Sequence, residues 1–466
     1  MEEPLEIPQK RRKINFSAIF TKKNLLIGFI VLVIFYGIYR IPAVYNRVNS
    51  RWADLSSRVI YYFNPPDEVV FLPQEEFQIA LVVQATLSAL TQVVEPSPTA
   101  TMVPDQESIV PTITPTPLPE KAIIEDIVYV HQQNRWNYCG PANLTMSLKY
   151  WGWDGDRDDV ASVIKPGEND PDLDFIQRGL SDKNVMPYEM TKYVRDYTYF
   201  DAVLRVGGNL DLLKKLISNG YPVVIEKGYY ETTYTGDLAW MGHYWFVTGY
   251  DDSLGSFIVQ DAYLQPGDNI ESDYESFLEG WRAFNYLFFV VYPPENESEV
   301  FEILGPWADE NWANLHALEI AEREITEDLD EMAEYFAWFN KGTSHVALDQ
   351  YQAAATAYDN AFFLYNKMEG EASLRPYRMM WYQSGPYWAY FFTQRYTDLI
   401  NLANTTLNEW ISQPTLEESL YWRGRAYLAE GQYQDAVADF RESVYLNENY
   451  APGISILTQL GEPIDD

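Results

Sequence analysis

Apolar positions along this chain keep three rhythms. Near the amino end they are continuous: Asn24 to Tyr39 runs 16 residues without a charge, mostly Leu, Ile, Val and Phe. In the middle they come in short β-type runs, and after Trp307 they recur at the spacing of helices packed on one face. The continuous run predicts a membrane-spanning helix over residues 24–41. Lys23 and Arg40 can snorkel, and Ile41 to Tyr45 can extend it towards the ~20 residues a span needs. A cleaved signal peptide is the competing reading, but RIPAVYNRV after Tyr39 holds no A-x-A-like site. Residues 1–23 carry six basic and three acidic side chains, so the positive-inside rule predicts a cytoplasmic tail, with the remainder of the chain outside the cytoplasmic membrane.

Phe77 to Val94 is a second uncharged stretch, of 18 residues. Six polar side chains (Gln78, Gln84, Thr86, Ser88, Thr91, Gln92) suit a surface or oligomerising helix better than a second span, which would return the downstream chain to the cytoplasm. Glu95 to Glu120 then holds seven prolines and five threonines in 26 residues. That composition forms no core; extended at about 3.1 Å per residue, it makes a spacer of roughly 80 Å.

Past the spacer, Ile123 to Val130 reads as a strand, Leu210 to Ser218 as a helix and Tyr221 to Glu226 as a strand. Met241 to Tyr263 reads as two strands around the turn signal Asp251-Asp252-Ser253-Leu254-Gly255. A hairpin centred on Ser253 sets His243 opposite Tyr263 and Asp261 diagonally from His243 on one face, within reach of long side chains. The intervening KGYYETTYTGDLAWMG, Lys227 to Gly242, is either a lid or cleft wall reading substrate side chains, or a surface loop whose tyrosines pack locally.

The single cysteine, Cys139, precedes Gly140-Pro141 and an apolar run (Leu144, Met146, Leu148, Tyr150). Proline is favoured in a first helical turn, so Cys139 is predicted at a helix N-terminus, where dipole and free N–H groups favour the thiolate. The bland alternative is a buried core thiol. His243 can take the thiol proton while Asp261 fixes its tautomer, and the Gln133 amide can donate to an oxyanion.

Composition narrows the partners. A formal charge of −35 argues against nucleic acid, and one cysteine excludes an intrachain disulfide. No H-E-x-x-H is present, so no metal or cofactor site is expected. His131, His316 and His345 are assigned structural roles.

Gln133, Cys139-Gly140-Pro141-Ala142, Gly242-His243-Tyr244 and Asp261, in that order, resemble the papain-like cysteine peptidases that cleave bacteriocin leaders after double glycine, and their stand-alone relatives. The resemblance implies Cys139 as nucleophile, His243 as general base and acid, and Asp261 as orienter. It also implies an oxyanion hole of Gln133 with the Cys139 N–H. The exporter members carry an ATPase, and no G-x-x-x-x-G-K-[ST] loop occurs here. The resemblance thus implies the chemistry without leader cleavage.

Trp307 to Glu334 has helical periodicity and connects to three units with a small residue where two helices cross. These are Trp338, Gly342, Ala354, Tyr358 and Ala361; Trp381, Gly385, Trp388, Tyr396 and Ala403; and Gly424, Tyr427, Gly431, Tyr433, Ala436 and Phe440. They resemble tetratricopeptide repeats, best in the third, LYWRGRAYLAEGQYQDAVADF.

The expected architecture is an α+β papain-like peptidase domain plus an all-α repeat domain behind one N-terminal transmembrane helix. Its segments are tail 1–23, span 24–41, juxtamembrane 42–94, spacer 95–122, peptidase 123–295, connector 296–334 and repeats 335–466. The expected function is an extracytoplasmic cysteine peptidase acting on a peptide or protein, with a protein partner at the repeats. All proposed catalytic groups lie in 123–295, so that segment is expected to retain hydrolysis alone. The alternative is a non-catalytic surface adaptor on a retained scaffold.

Overall fold

The computed structural model describes residues 71–73, 117–132, 135, 137–165, 184–232, 238–369, 374–376, 378–407 and 416–464, together with Tyr36. The chain divides into two units, Met1–Phe63 and Asn64–Asp466, and every element below belongs to the second. Apart from Tyr36, the expected span at 24–41 lies outside the described residues, as do 77–94. Among the described residues no helix is long and apolar enough to cross a membrane.

Among the described residues, seven strands form one sheet: β1 (Lys121–Ile123), β2 (Asp201–Arg205), β3 (Val223–Thr232), β4 (Leu238–Asp251), β5 (Ser256–Gln260), β6 (Ile270–Asp273) and β7 (Phe288–Tyr292). Neighbours pair antiparallel in the order β2-β7-β3-β4-β5-β6, while β1 flanks the last residues of β4 beyond the end of β3. Helices α1 (Cys139–Tyr150), α2 (Arg157–Ile164), α3 (Pro187–Tyr197), α4 (Leu210–Ser218), α5 (Tyr274–Arg282) and α6 (Glu297–Leu304) cover it. The strands alternate between two cores. Val224, Tyr244, Phe246, Phe289 and Val291 pack with α1 and α3, whereas Val223, Ile225, Trp245, Val247 and Val290 pack with α4, α5 and α6. Both faces are dry, which is why these strands read as continuous apolar runs and not as alternation. Each fully buried Phe or Val contributes about 1.5–3 kcal/mol.

Several local expectations change. The predicted strand at Ile123–Val130 is displaced: only Lys121–Ile123 is strand, and 124–130 runs on without regular structure. The expected spacer therefore gives its last residues to the sheet, where Pro119 O accepts from Tyr250 Oη at 2.7 Å and Glu120 O from the Asp252 N–H at 2.8 Å. Phe71, expected in the juxtamembrane segment, is buried among helices, its ring 5.0 Å from Phe362 and 6.0 Å from Tyr390. Within Lys227–Gly242, expected as a lid, cleft wall or surface loop, residues 227–232 belong to β3 and 238–242 to β4, which pair from Val223↔Val247 to Thr232↔Leu238. Tyr229, Tyr230 and Trp240, which line a cavity, are strand formers. Gly228 makes room there, since a Cβ would come within 2.8 Å of the Trp240 ring. The second hairpin is centred half a residue off, with Asp251 opposite Ser256, but a bulge between Val247 and Gly249 restores the Ser253-centred pairing at Phe246↔Gln260.

Trp307–Glu334 resolves into a single 3-10 turn at Gly305–Ala308, helix α7 (Glu310–Glu324) and the start of α8 (Glu331–Ala347). Asp309 and Asp330 cap the two helices, accepting from the N–H of Trp312 at 2.9 Å and Ala333 at 2.8 Å. Then follow α9 (Tyr351–Lys367), α10 (Gly385–Phe392), α11 (Tyr396–Leu407), α12 (Glu417–Ala429), α13 (Tyr433–Leu446) and α14 (Ala451–Leu460).

The hairpins α8–α9, α10–α11 and α12–α13 share one turn. Asp349, Gln394 and Gly431 each take a left-handed φ (58°, 60° and 81°). The next N–H in each bonds back at 2.8 Å, Gln350 to His345 O, Arg395 to Tyr390 O and Gln432 to Tyr427 O. Aligned on these turns, Gly342 and Gly424 are equivalent and meet Tyr358 and Phe440, to which a Cβ would approach within 2.6 and 2.7 Å. In the second hairpin that place belongs to Tyr387, with Ala403 in the place of Tyr358. Large and small residues have exchanged helices. Gly385, expected at this crossing, instead opens α10 against Tyr358 Oη.

The helical array and the sheet share a core. Trp240, Ala283 and Phe284 pack with Tyr335, Phe336, Phe339 and Met379 to Tyr382. Asn340 Nδ2 donates to Arg282 O at 2.7 Å and Asn285 Nδ2 to Ser344 Oγ at 3.0 Å. At the far end, Asn449 Nδ2 donates to Val163 O at 3.0 Å.

Candidate active site

Helix α1 begins at Cys139 itself. Asn137 turns the chain in the left-handed region (φ 42°), and Pro141 falls in the first turn, where a missing N–H costs nothing. No side chain caps this N-terminus and no acid lies in its first turn, so the partial positive charge there is left for the sulfur. Gly140 lets the helix settle on Val185, whose atoms would meet a Cβ at 3.2 Å. Asn143, fully buried, fixes the helix to β4, donating through Nδ2 to Cys139 O at 2.8 Å and Tyr244 O at 3.0 Å.

Three of the four residues expected at the site are brought together. His243 lies in β4 and Asp261 just after β5, with His243 Nε2 2.9 Å from Asp261 Oδ1. The side chain of His243 is also hydrogen-bonded to Cys139, a contact that falls to Nδ1 because Asp261 holds Nε2. Gln133 lies outside the described residues. The Asp261 carboxylate is fully engaged: the N–H groups of Tyr263 and Leu264 reach Oδ1 at 2.8 and 3.2 Å, and Trp245 Nε1 donates to Oδ2 at 2.7 Å. Tyr229 and Tyr263 flank the imidazole, with ring centroids 5.2 and 6.4 Å away.

Burial alone would push the Cys139 thiol up. The hydrogen bond and charge of His243, the Tyr244 N–H and the Lys165 ammonium outweigh it and hold the thiol below its ordinary value. For His243 burial works downward, yet Asp261 and the thiolate raise the imidazole well above its usual range. Asp261 resists its own burial through His243, Trp245 and the Tyr263 N–H, staying well below the carboxylate range. All three shifts favour a thiolate–imidazolium pair held by a carboxylate.

Sequence reasoning missed several contributors. Lys165, buried just past α2, donates to Asn137 O at 3.2 Å and adds positive charge near the sulfur. Glu226 lies buried beside Tyr244, its carboxyl pushed well up by desolvation. Tyr382, from the chain between α9 and α10, rests against Gly242. A cavity of about 560 Å³ is lined by Tyr229, Tyr230, Trp240, Glu279, Asp330 and Phe336 among others. Cys139 is not part of its wall.

The expected structural histidines have local partners: His316 stacks on Trp312 at 4.7 Å, and His345 Nδ1 is 2.7 Å from Gln350 Oε1. Among the described residues, no group of three or more His, Cys, Asp or Glu side chains is gathered as a metal site would require.

Residues 124–288 match the family described as "Peptidase_C39 like family", and residues 417–450 match the tetratricopeptide repeat. No curated protein matches the chain. Two solved structures are similar to part of the chain. One, named as a C39-like peptidase from Bacillus anthracis, is 20% identical, covering 37% of this chain and 98% of its own, with a TM-score of 0.29. The other, xylellain, a cysteine protease from Xylella fastidiosa, is 18% identical, covering 38% of this chain and 86% of its own, with a TM-score of 0.25. The chain thus carries a domain of the C39-like peptidase family over residues 124–288, followed at 417–450 by a tetratricopeptide repeat.

Proposed function

We propose that the chain is a cysteine peptidase in which Cys139, His243 and Asp261 form the catalytic triad. The observation that carries this reading is the continuous chain from the Cys139 sulfur through the His243 ring to the Asp261 carboxylate, at the open N-terminus of α1. The thiolate attacks a peptide carbonyl carbon, and negative charge moves to its oxygen. The Cys139 N–H and the Gln133 amide, in this reading, stabilise that oxyanion. Collapse expels the amine, which takes the imidazolium proton, and leaves a thioester. His243 then removes a proton from water, hydroxide adds to the thioester, and collapse releases a carboxylic acid and the thiolate.

The reading extends to placement and partners. Residues 24–41 anchor the protein in the cytoplasmic membrane, with the tail inside and the peptidase and helical array outside, and the array binds a protein partner. The sequence pattern of the tail and the apolar run supports this topology.

The test is turnover of a peptide library by the full chain and by its Cys139→Ala and His243→Ala variants. Peptide hydrolysis abolished by either change is the expected result. A folded wild-type protein that cleaves nothing, with a thiol no more reactive than an ordinary one, marks the domain as a scaffold.

A further inference from the structure

Lys227 is a buried lysine that the mechanism above leaves without a role. It stands on β3 directly opposite His243, so the two side chains share a face of the sheet, and Trp245 is its diagonal neighbour, within reach of a long side chain. Lys227 Nζ lies 3.5 Å from the centroid of the Trp245 ring. The indole N–H of that ring donates to Asp261 Oδ2 at 2.7 Å, and Asp261 Oδ1 is 2.9 Å from His243 Nε2. A line of contacts therefore runs from the ammonium through one aromatic ring to the carboxylate beside the imidazole.

The surroundings hold this contact in place. Lys227 is only 6% exposed. Helix α5 closes over the end of its side chain at Gly280, where a Cβ would meet Lys227 Cε at 2.7 Å and Nζ at 3.2 Å. Phe277, also on α5, packs on the indole with ring centroids 6.2 Å apart. Among the described residues Lys227 makes no hydrogen bond or ion pair, and the carboxylates of Asp261, Glu279 and Asp273 attract it from farther off. A buried ammonium without a bonded partner is costly, and a Met of similar length would fill the place without that cost. What the charge meets here is an indole face, the aromatic surface that holds a cation best. Its other use would be to hold an anion in the cavity of about 560 Å³ whose wall includes Lys227. Four exposed carboxylates in that wall, Glu279, Asp330, Glu331 and Glu369, outnumber its three cations and disfavour one.

Resting on the peptidase reading above, we propose that Lys227 is a positioning residue for the triad, acting through Trp245. Its ammonium fixes the plane of the indole and draws π density towards itself, which makes the indole N–H a stronger donor to Asp261. The carboxylate is thereby held with Oδ1 towards His243, and the imidazolium formed when the thiol gives up its proton keeps its orientation. In this role Lys227 transfers no proton and binds no substrate, so its loss lowers kcat and leaves KM unchanged.

The experiment measures kcat and KM of the full chain on one internally quenched peptide that it cleaves, for wild type, Lys227→Met, Trp245→Phe and the double variant. Lys227→Met should lower kcat about three- to tenfold with KM unchanged, and Lys227→Arg, which keeps the charge, should restore most of the loss. In the Trp245→Phe background, where that indole N–H is gone, Lys227→Met should cost no more than about twofold. Wild-type kcat in Lys227→Met, a change confined to KM, or an equal loss in both backgrounds overturns the proposal. Lys227→Gln takes the place of Lys227→Met in the same cycle if the methionine variant does not fold. Iodoacetamide separates the two levels. Rapid alkylation of Cys139 with turnover indifferent to Lys227 removes only the positioning role, whereas slow alkylation with no cleavage removes the peptidase reading and the proposal together.

Discussion

Trp245 donates its indole N–H to Oδ2 of Asp261 at 2.7 Å, which leaves Oδ1 to His243. Both aromatic and imidazole stand in β4, two residues apart on one face, so a single strand presents the proposed base and the group that steadies its carboxylate partner. Trp245 also carries the Lys227 ammonium 3.5 Å from its ring centroid, and burial lowers that lysine to about 8.

Trp245→Phe should therefore keep the packing and remove one hydrogen bond to a charged group. A loss of ~1.5 kcal/mol corresponds to about a tenfold fall in kcat. Asp261→Ala, which removes the orienter, should cost more than this. Steady-state kinetics of the two variants on one peptide checks the order, and an equal loss for both would assign Trp245 a wider role than holding the carboxylate.

Removing the helical array should unfold the peptidase half. The sequence suggests that 123–295 works alone, since every expected catalytic residue lies there, but Trp240 and Phe284 are buried against Phe336, Tyr382 and their neighbours. Cutting after residue 295 would expose these rings and leave the Gly242 N–H without Tyr382. At about 1.5–3 kcal/mol per large apolar side chain, losing even a few such contacts rivals the 5–15 kcal/mol that holds a domain folded. Circular dichroism and thermal melting of the fragment provide the measurement. A cooperative melt near that of the full chain would contradict this shared core.

Gly424→Ala and Gly431→Ala should both destabilise the array, by different means. At Gly424 a Cβ would come within 2.7 Å of the Phe440 ring, so the crossing of α12 and α13 must widen; such overpacking costs about 1–3 kcal/mol. Gly431 has open space but a φ of 81°, so the penalty is backbone strain of about 1 kcal/mol. Ala403→Tyr in the second hairpin should behave like Gly424→Ala, because Tyr387 already fills that crossing. Denaturant titration of each variant tests the ranking.

The site was legible where the chemistry is local. C-G-P marks a helix start, and the turn at Asp251 to Gly255, with the two-residue repeat of strand geometry, brings His243 to Asp261, the bulge at Thr248 correcting a half-residue error in the turn. Lys165 and Tyr382 were not legible. Lys165 comes near Cys139 from the irregular chain just past α2, and Tyr382 reaches Gly242 from irregular chain more than a hundred positions away; no periodicity ties either residue to its partner. The repeats show a different limit. Glycine spacing misplaced the second hairpin because its crossing has the glycine's role on the opposite helix, at Ala403. The turn geometry at Gln394, which reveals the register, has no fixed residue type.

The pH dependence of Cys139 alkylation discriminates an enzyme from a core cysteine. His243 is raised and Cys139 lowered, so the reactive ion pair exists between their two values. Where an ordinary thiol of pKa ~8.5 is largely protonated, Cys139 should react faster than an ordinary thiol. The rate should fall only on the acid side, as the thiolate takes a proton. Acid also threatens Asp261, whose depressed value means that stability is present above the unfolded carboxylate range and is lost as pH falls towards the folded value. His243→Ala removes the largest influences that lower the thiol and leaves burial dominant. Alkylation by iodoacetamide should then rise only above pH ~8.5, with the fold intact at neutral pH. A wild-type profile already centred at or above that pH would mean that burial wins at Cys139, and that the thiol is part of the core.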